Sequence, residues 1–181
     1  MQTHLEDNDI TEDERTLVLG VASGTSGVTL FPVADNPESA WGLRKIGKEG
    51  NDKDALLAEV GAVEHPEDPT LYKISKSPAK YAFQQSVSLV DLIKDHDVID
   101  YIHIDIQGAE LEVMEAAINE LNKKCRIIVI GTHSKEIEVS LRSLAADHDW
   151  SIAHDETMFE RGDNSGRWQD GCQVWVNGRF F

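Results

Sequence analysis

Asp105, Gln107 and Glu110 stand two and three residues apart in YIHIDIQGAELEVM, residues 101–114. A run of strand-forming residues gives way there to a helical pattern, so the polar groups gather at the end of a strand. In open α/β sheets, ligands bind beyond the carboxyl ends of strands, where helix-start donors and turn side chains converge. Asp105 and Gln107 leave the strand on the turn, Gly108 permits tight backbone passage, and Glu110 falls in the first helical turn, where its charge suits the dipole. The chemistry on offer is the capture of a ligand by hydrogen bonds. A structural account competes on even terms, in which Glu110 caps a helix and Asp105 fixes a turn.

The elements around this turn follow from periodicity. Residues 1–9 resemble the tail of a helix ending near Asn8 and Asp9, and Thr11 to Glu14 form an acidic turn. TLVLGVA (16–22) is a short apolar run of the kind that forms a buried strand, and GVTLFPVA (27–34) resumes strand character after SGTSG, so the two suggest a hairpin. Residues 35–52 hold Pro37 and three glycines among charges, and read as an exposed loop that the Trp41 indole would pin. KDALLAEVGA (53–62) permits a short helix, HPEDP breaks it, and TLYKIS reads as a strand. Ser88 with Asp91 three positions on resembles a capping box ahead of Leu89, Leu92 and Ile93. VIDYIHIDI (98–106) is a strand, and Leu111, Met114, Ile118 and Leu121 line one helical face after it. RIIVI is a buried strand, Ser134 caps a helix carrying Ile137, Leu141, Leu144 and Ala145, and DWSIAHDE and GCQVWVNG (171–178) are strands. This order describes a mostly parallel α/β sheet with an antiparallel late member.

Composition removes several classes of function. The chain has 181 residues, enough for one sizeable core, and 17 Lys and Arg against 33 Asp and Glu give a formal charge of -16. That field repels a phosphate backbone, and no basic stripe offsets it, so no nucleic acid partner is expected. Cys125 and Cys172 form no CxxC pattern, which argues against a zinc knuckle or a disulfide framework and fits a reducing cytoplasm. No apolar run approaches the roughly 20 residues that span a bilayer, and MQTHLEDND has no signal-peptide character, so no membrane partner is expected.

SLVDLIKDHDVIDYIHIDIQGAELEVMEA resembles the FkbM-type methyltransferases, which carry a segment like IDxEGAE after the fourth strand of a Rossmann-like sheet. RIIVIGTHS is similar to that family's fifth strand and following His, VASGTSGVTLFPV to its third strand and hairpin, and DGCQVWVNGR to the closing strand of some members. The resemblance covers most of residues 16–179. It implies a Rossmann-like class I methyltransferase sheet, mostly parallel with an antiparallel C-terminal strand and N-terminally incomplete, with residues 1–181 forming a single domain that is the C-terminal portion of a methyltransferase domain. It also implies S-adenosylmethionine as cofactor and a small-molecule hydroxyl, of a sugar or polyketide, as acceptor. Asp105 is then the first candidate for the base and His133 the second, with Glu110 beside them; Ala22, Ser23, Asp105 and Gln107 are the candidates for holding the cofactor. A divalent metal would also assist such a reaction, although no residue pattern indicates one. For His133 a hydrogen bond at the helix entry beside Ser134 is the equal alternative, and His103 reads as a satisfied core residue.

Two departures from the family pattern stand out. Gln107 occupies a position where many members have Glu, which removes a carboxylate but keeps hydrogen-bonding capacity. The glycine-rich cofactor turn expected upstream is missing, since GVASGTSG (20–27) opens into VTLFPV rather than a helix and reads as a hairpin turn. A noncatalytic module that pairs with another chain, or an inactive fragment, therefore stands as the alternative to an enzyme.

Overall fold

The structure is a computed structural model that describes residues 7–34, 36, 43–75, 77–160 and 168–181. The expected helical tail before Asp7 and the placement of Trp41 lie outside the described residues. In chain order, a 3-10 turn at Glu12–Glu14 precedes β1 (Val21–Ser23), β2 (Gly27–Val33), β3 (Ile46–Gly50), α1 (Lys53–Val60), β4 (Ala62–His65), β5 (Asp68–Ile74) and β6 (Lys80–Ser88). There follow α2 (Leu89–Ile93), β7 (Ile99–Ile104), α3 (Glu110–Lys124), β8 (Cys125–Thr132), α4 (Lys135–Asp147) and β9 (Trp150–Glu156). The two-residue strands β10 (Phe159–Glu160) and β11 (Trp168–Gln169) then precede β12 (Gly171–Asn177).

These strands build two separate larger sheets, which corrects the single, mostly parallel Rossmann-like sheet expected from the sequence. The first has the order β3-β2-β6-β5-β4 with β1 added to β6, and the second the order β7-β8-β12-β9. Only β1 with β6 and β7 with β8 pair in parallel among the described residues; the other pairs are antiparallel. Linker length explains the difference. Antiparallel neighbours need only a short link, whereas parallel neighbours need a crossover of about a dozen residues. Pro66 and Glu67 alone join β4 to β5, while α3 carries the chain from β7 to β8. Several strands escaped the sequence reading: β3 lies inside the segment taken as an exposed loop, β4 follows the expected helix and runs into the HPEDP break, most of β6 precedes the recognised Ser88 cap, and the two-residue β10 and β11 were not expected.

The expected β1–β2 hairpin does not form. Instead β1 and β2 lie on opposite sides of β6, with Ser86 paired to Val21 on one side and Gly27 on the other. Residues 24–26 pass over the end of β6 and are tied there by side chains. Ser86 Oγ donates to the Thr25 carbonyl (3.2 Å), the Ser88 amide donates to Ser26 Oγ (3.0 Å), and Gln85 Nε2 donates to the Gly27 carbonyl (2.7 Å). TLVLGVA is strand only from Val21, and Leu17, Val18 and Leu19 are exposed.

The main core lies between the second sheet and its helices. Met114, Ile118 and Leu121 on α3 and Leu141 on α4 are buried against Ile128 and Ile130 of β8, the spacing of three and four putting the α3 residues on one stripe. Trp150 and Trp175 add a tilted ring pair with centroids 6.0 Å apart. Local caps agree with the sequence: Ser88 accepts from the Asp91 amide (3.1 Å) and Ser134 from the Ile137 amide (3.1 Å). On β12 the inward residues include Gln173 and Asn177, which are buried because each is satisfied. Gln173 donates to the Glu138 carbonyl (3.2 Å) and accepts from Trp175 Nε1 (3.0 Å), and Asn177 donates to the Cys125 carbonyl (2.9 Å). Among the described residues no helix is long and apolar enough to cross a membrane.

Candidate active site

Strand β7 ends at Ile104 and delivers Asp105 to a turn whose backbone is left-handed at Gln107 (φ 58°) and Gly108 (φ 103°). Glu110, the first residue of α3, folds back beneath this turn and is fully buried. Its Oε1 accepts from the Gly108 amide (3.0 Å) and the Ile106 amide (3.3 Å), so the carboxylate holds the turn in shape. The same oxygen lies 2.7 Å from Nδ1 of His133, the residue that follows β8. Parallel pairing of β7 with β8 is what brings these two strand ends side by side.

Nδ1 of His133 can donate its N–H to Glu110, which leaves Nε2 on the far side of the ring. Nε2 lies 3.3 Å from Asp105 Oδ1 and 3.9 Å from Asp170 Oδ2, two carboxylates whose side chains are 51% and 58% exposed. His133 itself is 5% exposed, so a buried imidazole faces two carboxylates that reach solvent. Glu110 Oε2 and His133 Nε2 are buried and have no hydrogen-bond partner among the described residues. This arrangement can take a proton from a hydroxyl and hold it. No group of three His, Cys, Asp or Glu side chains among the described residues is arranged to hold a metal ion.

A cavity of about 730 Å³ opens beside the cluster, between the two sheets, within the usual size range of small-molecule sites. Val21 and Ala22, Arg44 and Lys45 just ahead of β3, and the Gln107–Gly108 turn contribute to its walls. Glu112 closes it from the first turn of α3 and ties the sheets together: Oε1 accepts from the Gly24 amide (2.9 Å) and Ser23 Oγ (3.2 Å), and Oε2 lies 2.8 Å from Lys45 Nζ. Lys45 also pairs with Glu49. Burial works against the Lys45 ammonium, yet its bonds to Glu112 and Glu49 hold its pKa above the usual lysine value. Burial raises the Glu49 carboxyl, and the Lys45 bond only partly offsets it. Burial also opposes ionisation of Glu112, but Lys45 and the Gly24 amide outweigh it and keep that carboxyl low.

The sequence-derived candidates thus divide between two neighbouring places. Asp105, Glu110 and His133 come together in one cluster, although only Asp105 and Glu110 are close in sequence. Ala22 and Gln107 line the cavity, and Gln107 Nε2 reaches Asp105 Oδ1 at 3.4 Å, linking the two zones. Ser23 is fully buried and its hydroxyl is committed to Glu49 and Glu112, so it does not face the cavity. His103 is exposed rather than in the core. Sequence reasoning missed Arg44, Lys45, Glu49, Glu112 and Asp170; apart from the local Lys45–Glu49 pair, the contacts of Lys45 with Glu112 and of Asp170 with His133 join residues remote in the chain.

Residues 10–162 match the family described as Methyltransferase FkbM domain. A protein of Jannaschia sp. (strain CCS1) named "Putative methyltransferase" is 32% identical over 148 residues, covering 82% of this chain and 46% of that relative. The chain therefore spans less than half the length of this curated relative. No solved structure gives a significant match. With the motif turn, its buried glutamate and its histidine in place and most of the chain matched, the protein belongs to the FkbM methyltransferase family.

Proposed function

We propose that this chain acts in S-adenosylmethionine-dependent O-methylation of a small-molecule hydroxyl, such as that of a sugar or polyketide, with His133 as the base. The observation that carries this reading is the buried His133 ring, gripped at Nδ1 by Glu110 and facing Asp105 with Nε2. The cavity beside it has the volume and the mixed apolar and polar walls that the cofactor requires, and Ala22 and Gln107 would hold it. When bound, S-adenosylmethionine supplies a methyl group made electrophilic by its sulfonium.

The protein's own part is placement and proton removal. A neutral hydroxyl is a poor nucleophile, and proximity in line with the methyl group does most of the work. Asp105, half exposed, lies 3.3 Å from His133 Nε2, where its carboxylate can hold the ring in line with the hydroxyl. His133 Nε2 takes the proton as the oxygen attacks, and the Asp105 and Glu110 carboxylates stabilise the resulting imidazolium.

Two measurements test this reading. Isothermal titration of the chain with S-adenosylmethionine should give saturable binding. Transfer of labelled methyl groups to a panel of sugars and phenols should then fall about 100-fold or more in His133→Asn and Asp105→Asn, without loss of cooperative melting. Absence of cofactor binding would end this reading and favour a noncatalytic pairing module. Full activity in both variants would remove these residues from the mechanism.

A further inference from the structure

The charge of the cavity runs against that of the chain. Acidic residues outnumber basic ones by 33 to 17, yet the charged residues lining the cavity are Arg44, Lys45 and Glu112, two cations and one carboxylate. Lys45 and Glu112 neutralise one another at 2.8 Å. Arg44 makes no hydrogen bond or ion pair with any other described residue. An arginine without a carboxylate partner among the described residues of so acidic a chain is a recognition element in want of a ligand.

Its orientation supports this. A Cβ built on Gly108 would lie 3.0 Å from Arg44 Cζ, 3.0 Å from Nη1 and 3.3 Å from Nε, so the guanidinium lies face-on against the Gly108 backbone. Gly108, with φ 103°, leaves the space that this stacking fills. A guanidinium stacked on its face keeps its edge donors free, and two parallel N–H groups along that edge match a carboxylate. The apolar walls provided by Val21, Ala22 and Phe31 suit a ligand with an uncharged body.

Resting on the reading of this cavity as the methyl-transfer site, we infer that Arg44 clamps a carboxylate of the bound ligand. Two molecules could bring that group: the methyl donor, through its amino-acid end, or an acceptor that is itself a carboxylic acid bearing a hydroxyl. The long-range field of the acidic chain repels an anionic acceptor and favours the net-cationic methyl donor, so recognition of the carboxylate itself is short-ranged and falls to the fork.

The test is isothermal titration of the full chain with two matched pairs of probes. One pair is S-adenosylmethionine and its decarboxylated form. The other is 4-hydroxybenzoate and the neutral 4-hydroxybenzamide, each titrated with and without S-adenosylhomocysteine. In Arg44→Ala, the carboxylate-bearing member of one pair should bind about 10- to 100-fold more weakly while the partner lacking the carboxylate is unchanged, and Arg44→Lys should restore only part of the loss. Loss confined to the donor pair assigns the carboxylate to the methyl donor; loss confined to the benzoate pair assigns it to the acceptor. If wild type binds neither donor form but prefers 4-hydroxybenzoate through Arg44, the methyl-transfer reading fails and the carboxylate site stands. If wild type shows no preference within either pair, or Arg44→Ala retains it, the inference is overturned. Because Arg44 is exposed and makes no hydrogen bond or ion pair with any other described residue, its variants should melt with wild type.

Discussion

Replacing Glu112 with alanine should loosen the joint between the two sheets. The carboxylate accepts from the Gly24 amide at 2.9 Å and from Ser23 Oγ at 3.2 Å, and its Oε2 pairs with Lys45 Nζ at 2.8 Å. Losing hydrogen bonds to a charged group costs roughly 1.5–3 kcal/mol in a buried setting. Two features reduce that figure: the Glu112 side chain is 43% exposed, so water screens the ion pair, and Lys45 keeps Glu49 as a partner. The net expectation is about 1–2 kcal/mol, or a melting temperature lower by about 2–8 °C for a chain of this size. Urea unfolding of Glu112→Ala, Lys45→Met and the double variant gives the coupling directly, expected at about 0.5 kcal/mol or more.

The pH dependence carries a second signature of the same joint. The folded pKa of Glu112 lies below its ordinary 4.5, so its contribution is present above that value and is lost as pH falls through the depressed one. The folded pKa of Glu49 is raised, so its contribution is present below 4.5 and is lost as pH rises through the folded value. Glu112→Ala should therefore lessen the loss of stability on the acid side of 4.5. A variant within about 0.3 kcal/mol of wild type, with no coupling to Lys45 and an unchanged acid limb, would refute the claim that this carboxylate joins the sheets.

Other consequences can be checked with simple probes. Glu110→Ala should destabilise by about 3 kcal/mol in urea unfolding, because two backbone amides and the His133 ring lose their buried acceptor; Glu110→Gln should cost less. Gly171→Ala should cost about 1–3 kcal/mol by the same assay, since a Cβ there would lie 2.4 Å from Glu138 Oε1 and Thr132 Oγ1 and 2.6 Å from the Glu156 carbonyl. In alkylation by iodoacetamide followed by mass spectrometry, Cys172 should react before Cys125. Cys125 is buried, and that burial pushes its thiol up to about 11.

What the sequence revealed depended on how far apart the interacting residues lie in the chain. The α3 stripe, the Ser88 and Ser134 caps and the β7 turn are local patterns, and each is where periodicity and spacing put it. Asp105 and Glu110 were legible because the strand, the turn and the helix start announce themselves within one segment. The partner of Glu110 was legible only as a histidine after a strand; that the two touch at 2.7 Å depends on the pairing of β7 with β8. The first sheet was misread because β3, with its two glycines, and the polar strand β6 lack an apolar alternation, and their pairing with β2 is what makes them strands. The same distance hid the cavity, whose walls come from segments as separate as Val21, Arg44 and Gln107.

The short strand β1 deserves a kinetic reading. It is held by three register pairs to a single strand, β6, and it forms part of the cavity wall. Val21 and its partner Ser86 are remote in the chain, so their pairing carries a large loop-closure cost, and this wall closes late in folding and opens early in local unfolding. Amide exchange at Val21–Ser23 should accordingly be faster than in β8, whose flanks are both covered by β7 and β12. A molecule seated in the cavity packs against this strand and slows its opening, which makes these amides natural reporters of occupancy.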